Sequence, residues 1–449
     1  MAVAILIVFI VGYFFITTEH AFKIDKAATA LLTGVICWTL YFISGGVAIG
    51  HEDVQSISTH GNVYAHLEEQ LMHHLQEISG ILLFLMGAMT IVELIDAHEG
   101  FKVITDRIRS RKKVTLLWII ALLSFFLSAA LDNLTTAIVM VSLSRKLIAD
   151  EKTRWFFGGI IIVAANAGGA WSPIGDVTTT MLWIGDQITT LPVITSVFIP
   201  SLICLIVPMV ILSFTMKGDV ERPLSQTTEV NAASAFEKNM VFLIGVGGLL
   251  FVPVFKTVTH LPPFMGMMFS LGLVWVITEV IHHRKIMEER SRFSALQALR
   301  KIDMPSVLFF LGILLAVSAL QEVGHLLTLS SWLRDSLGNI YAINIAIGLL
   351  SSVIDNVPLV AASMGMYEIT AAVTGDSWRD MFVQDGIFWH FLAYTAGTGG
   401  SILIIGSAAG VAVMGIERIT FGWYLRNIAP WALIGYFAGC AAFIAEKML

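Results

Sequence analysis

The chain reads as an all-α polytopic membrane protein with two inverted repeats, about ten spans, two re-entrant helical hairpins and two discontinuous helices. Three observations predict this. Of 449 residues, 56% are hydrophobic and 13% charged, with mean hydropathy +0.81; soluble proteins carry about 25% charged residues. A two-part phrase, Asp132-Asn133 followed by Gly168-Gly169, Pro173 and Gly175-Asp176, returns about 220 residues later. Its second copy is Asp355-Asn356-Val357-Pro358 followed by Gly399-Gly400 and Gly406-Ser407, with the spacing Gly168 to Gly175 repeated from Gly399 to Gly406. Finally, the Asp-Asn copies have flanks of opposite charge, basic around the first and acidic around the second, where Glu368, Asp376, Asp380 and Asp385 stand.

The elements follow in order. Ala2 to Ile16 has neither a basic start nor a small-x-small cleavage site, so it reads as a retained span and not a signal peptide. Cytoplasmic loops are enriched in Lys and Arg. Clusters at 107–113, 145–154, 217–222 and 282–292, with Arg300, Lys301, Arg418 and Arg426, therefore mark the inner face. The acidic or histidine-rich segments 50–77 and 368–385 go outside. Runs 2–17, 27–49 and 78–95 cross in turn. The next run, 114–143, has Asp132-Asn133 in its middle and basic residues at both ends. It cannot cross once; it must enter and return as a hairpin, and about 18 residues per arm gives roughly 27 Å of helix, enough to reach the midplane. Run 155–184 contains Asn166, Gly168, Gly169, Pro173, Gly175 and Asp176. Proline removes a backbone donor and glycine weakens helix, so this span is broken. Span 192–214 completes the first repeat, residues 1–223, before a cytoplasmic linker at 224–238.

The second repeat, 239–449, runs through spans 239–255, 263–281 and 305–323, hairpin 338–367 from the outer face, broken span 386–416 and span 428–445. Both termini are then extracytoplasmic. Phe84 to Gly87 parallels Phe310 to Gly312, and amphipathic segments at 101–111 and 326–337 precede the hairpins and would lie along the interface. Inverted repeats with broken helices suggest a secondary transporter.

Composition also excludes. A net charge of −6 with no basic tail argues against nucleic acid as a partner. Cys37, Cys204 and Cys440 lie in apolar runs and read as small core or lipid-facing residues. No nucleophile–base pair or soft-ligand cluster stands in the repeats, so neither an enzyme, a cofactor nor a transition-metal site is expected.

The sequence resembles the NhaD-type sodium/proton antiporters, within the ion transporter superfamily that includes arsenite, citrate and dicarboxylate carriers. The resemblance covers nearly the whole chain: Thr18-Glu19-His20, Ile91-Val-Glu93-Leu-Ile-Asp96-Ala-His98, both Asp-Asn tips, and the stretch from Asn166 through Asp176-Val177-Thr178-Thr179. It implies a scaffold domain plus a transport domain of hairpins and broken helices, a homodimer in the bilayer of a cell inner membrane, and exchange of cytoplasmic sodium or lithium for external protons.

Hard oxygen ligands suit sodium. The first repeat offers Asp132, Asn133, Thr135, Thr136, Asn166, Asp176, Thr178 and Thr179; the second offers Ser351, Ser352, Asp355, Asn356, Thr395, Thr398 and Ser401. Asp176 aligns with Ser407, so the first repeat has the extra carboxylate and is the expected seat of the ion site. A carboxylate in a partly desolvated cavity binds a proton or a cation but poorly both, which suffices for exchange. Asp176, Asp132 and Asp355 are the candidates, in that order. Each has a plainer reading: Asp and Asn cap helices, and hydroxyls in membrane helices bond back to carbonyls. The glycines, with Pro173 and Pro358, serve the breaks. The alternative is an anion carrier of the same superfamily, which needs positive charge, yet no Lys or Arg lies in the middle of either hairpin. Histidines 51, 60, 66, 73 and 74 read as part of a solvated outer loop. Glu93, Asp96 and His98 read as an interfacial helix end outside the core site, the alternative being a proton-entry or regulatory cluster.

Overall fold

The structure is a computed structural model and describes residues 1–45, 63–105, 108, 110–223, 233–283, 293–370 and 378–448. Among these the secondary structure is helical, with no strand beyond isolated bridges. The principal helices of the first half are α1 (Ala2–Thr17), α2 (Lys26–Ile43), α3 (Val63–Ala97), α4 (Lys113–Leu131), α5 (Asn133–Leu147), α6 (Glu151–Ala170), α7 (Val177–Ile184) and α8 (Thr190–Thr215). Those of the second are α9 (Ala235–Thr259), α10 (Pro263–His282), α11 (Met304–Glu322), α12 (His325–Leu337), α13 (Ile340–Leu350), α14 (Asn356–Met366), α15 (Ile387–Gly399), α16 (Ala408–Glu417), α17 (Phe421–Asn427) and α18 (Ala429–Met448). Eight described helices are long and apolar enough to cross a bilayer. The protein is a multi-pass membrane protein.

Local chemistry sets the helix ends. Asp25 and Asp150 cap α2 and α6 through backbone amides two and three residues on. Ser234 and Glu237 form a reciprocal capping box at α9. Gly45, at φ +65°, ends α2 in a left-handed turn that few side chains adopt.

Two sets of helices pack chiefly among themselves. In one, α2 lies along α1 and α11, while α3 packs on α10 and α10 on α9. Small residues let backbones approach in membranes; a Cβ on Gly312 of α11 would fall 2.4 Å from the Ala30 carbonyl carbon of α2. In the other, α4 and α5 flank α6, α13 packs on α15, and α8 on α18. The broken helices are tied together at both ends. Asp385, just before α15, accepts from Thr189 N and Oγ1 at 2.6 Å each. Glu417, the buried last residue of α16, pairs with Arg145 at 2.7 Å and Arg154 at 3.1 Å. The three cysteines are buried and unpaired.

Two expectations need correction. Segment 50–77 is not a loop throughout, because from Val63 onward it belongs to α3, which has 35 residues. That is roughly 52 Å of helix, well beyond a 30 Å hydrocarbon core, and hydropathy registers only the immersed part. His66 and His73 are thus helical, and buried His74 bonds Glu322 of α11 at 2.8 Å; His51 and His60 lie outside the described residues. The segment before the first hairpin is helical only over Lys102–Thr105 among described residues, unlike its thirteen-residue counterpart α12. Most of linker 224–238, the 46–49 end of the second span, Arg107 and Asp376 also lie outside the described residues.

Candidate functional site: four capped half-helices

Four helices begin in the polar interior, and each is capped by its preceding residue. Asp132 caps α5, its two oxygens accepting from Thr135 N and Thr135 Oγ1 at 2.8 Å each. Asp176 caps α7, Oδ1 accepting from Thr178 N at 3.0 Å. Asp355 caps α14 through Val357 N at 3.3 Å, and Ser407 caps α16 through Gly410 N at 3.2 Å. A serine caps about as well as an aspartate. Capping alone therefore does not require three carboxylates.

Asp132 alone joins α4 to α5, at φ +93°, a costly conformation for a non-glycine residue. The corresponding connection between α13 and α14 takes five residues, Ser351 to Asp355. Helices α6 and α7 are separated by Trp171–Asp176, including Pro173, and α15 and α16 by Gly400–Ser407. Pro358 lies in the first turn of α14, where its missing amide costs no helical bond.

A buried chain of side chains links the caps of α7 and α16. Asn133 Nδ2 donates to Asp176 Oδ2 at 2.8 Å and to Asn166 Oδ1 at 3.1 Å; Asn166 Nδ2 donates onward to Ser407 Oγ at 3.0 Å. Asn133 thereby uses both amide hydrogens and keeps its carbonyl oxygen as an acceptor. The buried Thr136 Oγ1 has no hydrogen-bond partner among the described residues. Asp132 and Asp355 both lie within electrostatic range of Asp176. Three carboxylates in one low-dielectric region repel, and a cation or proton relieves the repulsion.

Other candidate hydroxyls donate to backbone carbonyls. Ser351 donates to Ala396 O, Ser352 to Leu349 O, Thr395 to Phe391 O, Thr398 to Tyr394 O, Ser401 to Thr398 O, and Thr179 to Ala170 O. Asn356 is buried, and no counterpart of the Asn133 bridge is seen among the described residues. Where α6 has Asn166, α15 has Gly397, on which a Cβ would stand 3.7 Å from Asp176 Oδ2.

A cavity of about 400 Å3 separates α3 from α5 and reaches Thr135 beside the Asp132 cap; Glu93, Asp96 and Lys146 are in its wall. Glu93 bonds Lys301 at 2.9 Å. His98 turns away, with Nε2 2.8 Å from Nε2 of His282. By contrast, α11 and α14 pack directly.

Sequence reasoning missed Lys26. The fold brings its Nζ to 3.5 Å from Asp355 Oδ2. Counting charges inside the hairpins could not find a partner contributed by α2; the available signal was a lysine as first residue of an apolar helix.

The citrate transporter family model matches residues 4–383. Sodium/proton antiporter 1 of Arabidopsis thaliana is 45% identical, over 100% of this chain and 73% of its own length. Sodium/proton antiporter 2 of the same plant is 43% identical over 98% of both. The Na(+)/H(+) antiporter NhaD of Alkalimonas amylolytica is 30% identical over 97% of this chain and 88% of its own length.

Proposed function

This chain belongs to the NhaD-type sodium/proton antiporter family, and from that premise we propose that it exchanges cytoplasmic sodium or lithium for external protons at Asp176 and Asp132. The observation that carries the reading is the buried Asp176–Asn133–Asn166–Ser407 chain, which joins both halves around a carboxylate beyond what capping needs. Asp176, held by Asn133 and the Thr178 amide, offers the anionic oxygen. Asn133 Oδ1 and Thr136 Oγ1 are neutral oxygens nearby. Asp132 is bonded to Thr135 in the cavity wall, by which a proton or hydrated cation reaches it. Occupancy by one excludes the other, so a transport body that crosses loaded but not empty couples the two fluxes.

The two halves act as inverted repeats, 1–223 and 239–449, with α4–α5 and α13–α14 as hairpins entering from opposite faces. Parallel packing supports this: Gly168 abuts the Phe125 backbone as Gly399 abuts that of Gly348, and Ser128 donates to Ala165 O as Ser351 does to Ala396 O. Under that symmetry α3–α5 corresponds to α11–α14. One pair borders a cavity on the lysine-bearing side and the other is closed, which supports a cytoplasm-facing conformation. The termini are extracytoplasmic, as the distribution of Lys and Arg suggests, and the membrane is a cell inner membrane and the assembly a homodimer, as the resemblance implies.

The family model's description favours a second reading, an anion carrier. Lys26 weakens it, because that charge is already paired. One assay separates them: pH-gradient dequenching in everted vesicles with sodium, lithium, potassium, citrate and arsenite. Sodium or lithium responses are expected between pH 7 and 9.5; a response to citrate or arsenite alone would sink the cation reading.

A further inference from the structure

We infer that Lys26 is a tethered cation for Asp355, occupying at the second-half cap the place that a transported ion takes at the first-half carboxylates; the inference rests on the exchange reading above. Lys26 opens α2, beside the positive end of the helix dipole, where a cation is disfavoured. Such a local conflict persists where another group holds the charge. The holder is distant in sequence: Asp355 Oδ2 at 3.5 Å, with the Phe309 ring centroid 4.6 Å away on α11. The side chains of the pair are 24% and 17% exposed, so water screens them less than a surface pair.

The surroundings are those of a cation site. A small cavity beside the pair is lined by Tyr13, Thr17, Glu19, Lys26, Asp355 and Ser407. The buried Tyr13 Oη has no hydrogen-bond partner among the described residues. The ammonium thus shares a cavity with carboxylate and hydroxyl side chains, Asp355 Oδ2 at 3.5 Å from it. Neither Asp132 nor Asp176 has a lysine or arginine partner among the described residues; their contacts are with Thr135, Asn133 and Thr178. The protein itself neutralises one of three carboxylates and leaves two for moving ions. Lys26 is in this sense a specificity-determining residue acting through Asp355.

Purified wild type, Lys26→Gln, Lys26→Met and Lys26→Arg test this by two readings: the sodium concentration for half-maximal thermal stabilisation, and the sodium KM of exchange in proteoliposomes at one alkaline pH. Both neutral variants are expected to lower the two sodium values about fivefold, as Asp355 becomes free for sodium, while Arg stays within about twofold of wild type. Adding Asp355→Asn should abolish the shift in stabilisation. Unchanged sodium values in the neutral variants, or Gln, Met and Arg behaving alike, overturn the inference and leave Lys26 a packing residue. Should neither neutral variant fold, Asp355→Asn in the same chain is expected to restore folding, and failure to do so counts against the pair. A wild-type protein without any sodium response instead overturns the exchange reading, so the two failures are distinguishable.

Discussion

The caps of α7 and α16 have nearly the same backbone, Asp176 at φ −144°, ψ 143° and Ser407 at φ −144°, ψ 153°. Behind each, a glycine touches the backbone of the preceding hairpin and a serine hydroxyl braces it. Only the functional groups differ. Asp176 receives the Asn133 amide, whereas Ser407 receives that of Asn166, and α15 offers glycine where α6 offers that asparagine. At these two caps the backbone is thus shared while the side-chain chemistry differs. The second half then braces the Asp176–Asn133–Asn166 chain through Ser407.

The most severe test of this asymmetry is Asp176→Asn. Asparagine still caps a helix, so the protein should fold with its melting temperature within about 3 °C of wild type. Sodium-dependent exchange should fall about a hundredfold, roughly 2.7 kcal/mol in barrier terms. Retained exchange in the vesicle assay would remove Asp176 from the chemistry.

Where the halves are alike, equal damage is expected. A Cβ on Gly168 would stand 2.1 Å from Phe125 O, and one on Gly399 2.0 Å from Gly348 O. Gly168→Ala and Gly399→Ala should each cost on the order of 3 kcal/mol and reduce folded yield on gel filtration to a similar degree. A large difference between them would break the structural equivalence of the two breaks.

Ser407→Ala, which removes a cap and the Asn166 contact, should cost about 1 kcal/mol. Exchange should change by no more than about threefold, against the large loss at Asp176. The smallest effect belongs to the tie between Asp385 and Thr189. Burial alone would push the Asp385 carboxyl up, but the hydrogen bonds from His390 and Thr189 outweigh it and hold its pKa below the usual carboxylate range. A depressed pKa contributes stability above the unfolded value, near pH 3.9, and loses it as pH falls through the folded one. Asp385→Asn should therefore melt about 2 °C lower than wild type at pH 7. That gap should close toward pH 3; a gap that persists there would assign the difference to shape and not charge.

The turn at Asp132 and the helix breaks were legible because charge and glycine inside apolar sequence are rare and positional. Residues 114–143 contain the turn now seen at Asp132, and the break near Gly168 to Asp176 was bounded by its own glycines and proline. Long-range partners were less legible. His74 with Glu322, Glu417 with Arg145 and Lys26 with Asp355 join segments hundreds of residues apart, and local pattern does not encode which helices meet. Hydroxyl count could not foresee that in the second half Ser351, Ser352, Thr398 and Ser401 donate to backbone carbonyls.

The one-residue turn at Asp132 also bears on how such a chain tolerates changes of length. An inserted residue there would displace the Asp132 cap, the Asn133 bridge and the start of α5 together, whereas the five-residue tip of the second hairpin has slack to absorb one. Insertions and deletions should therefore accumulate at the second tip and be purged at the first, making one of two corresponding turns open to drift and the other closed to it.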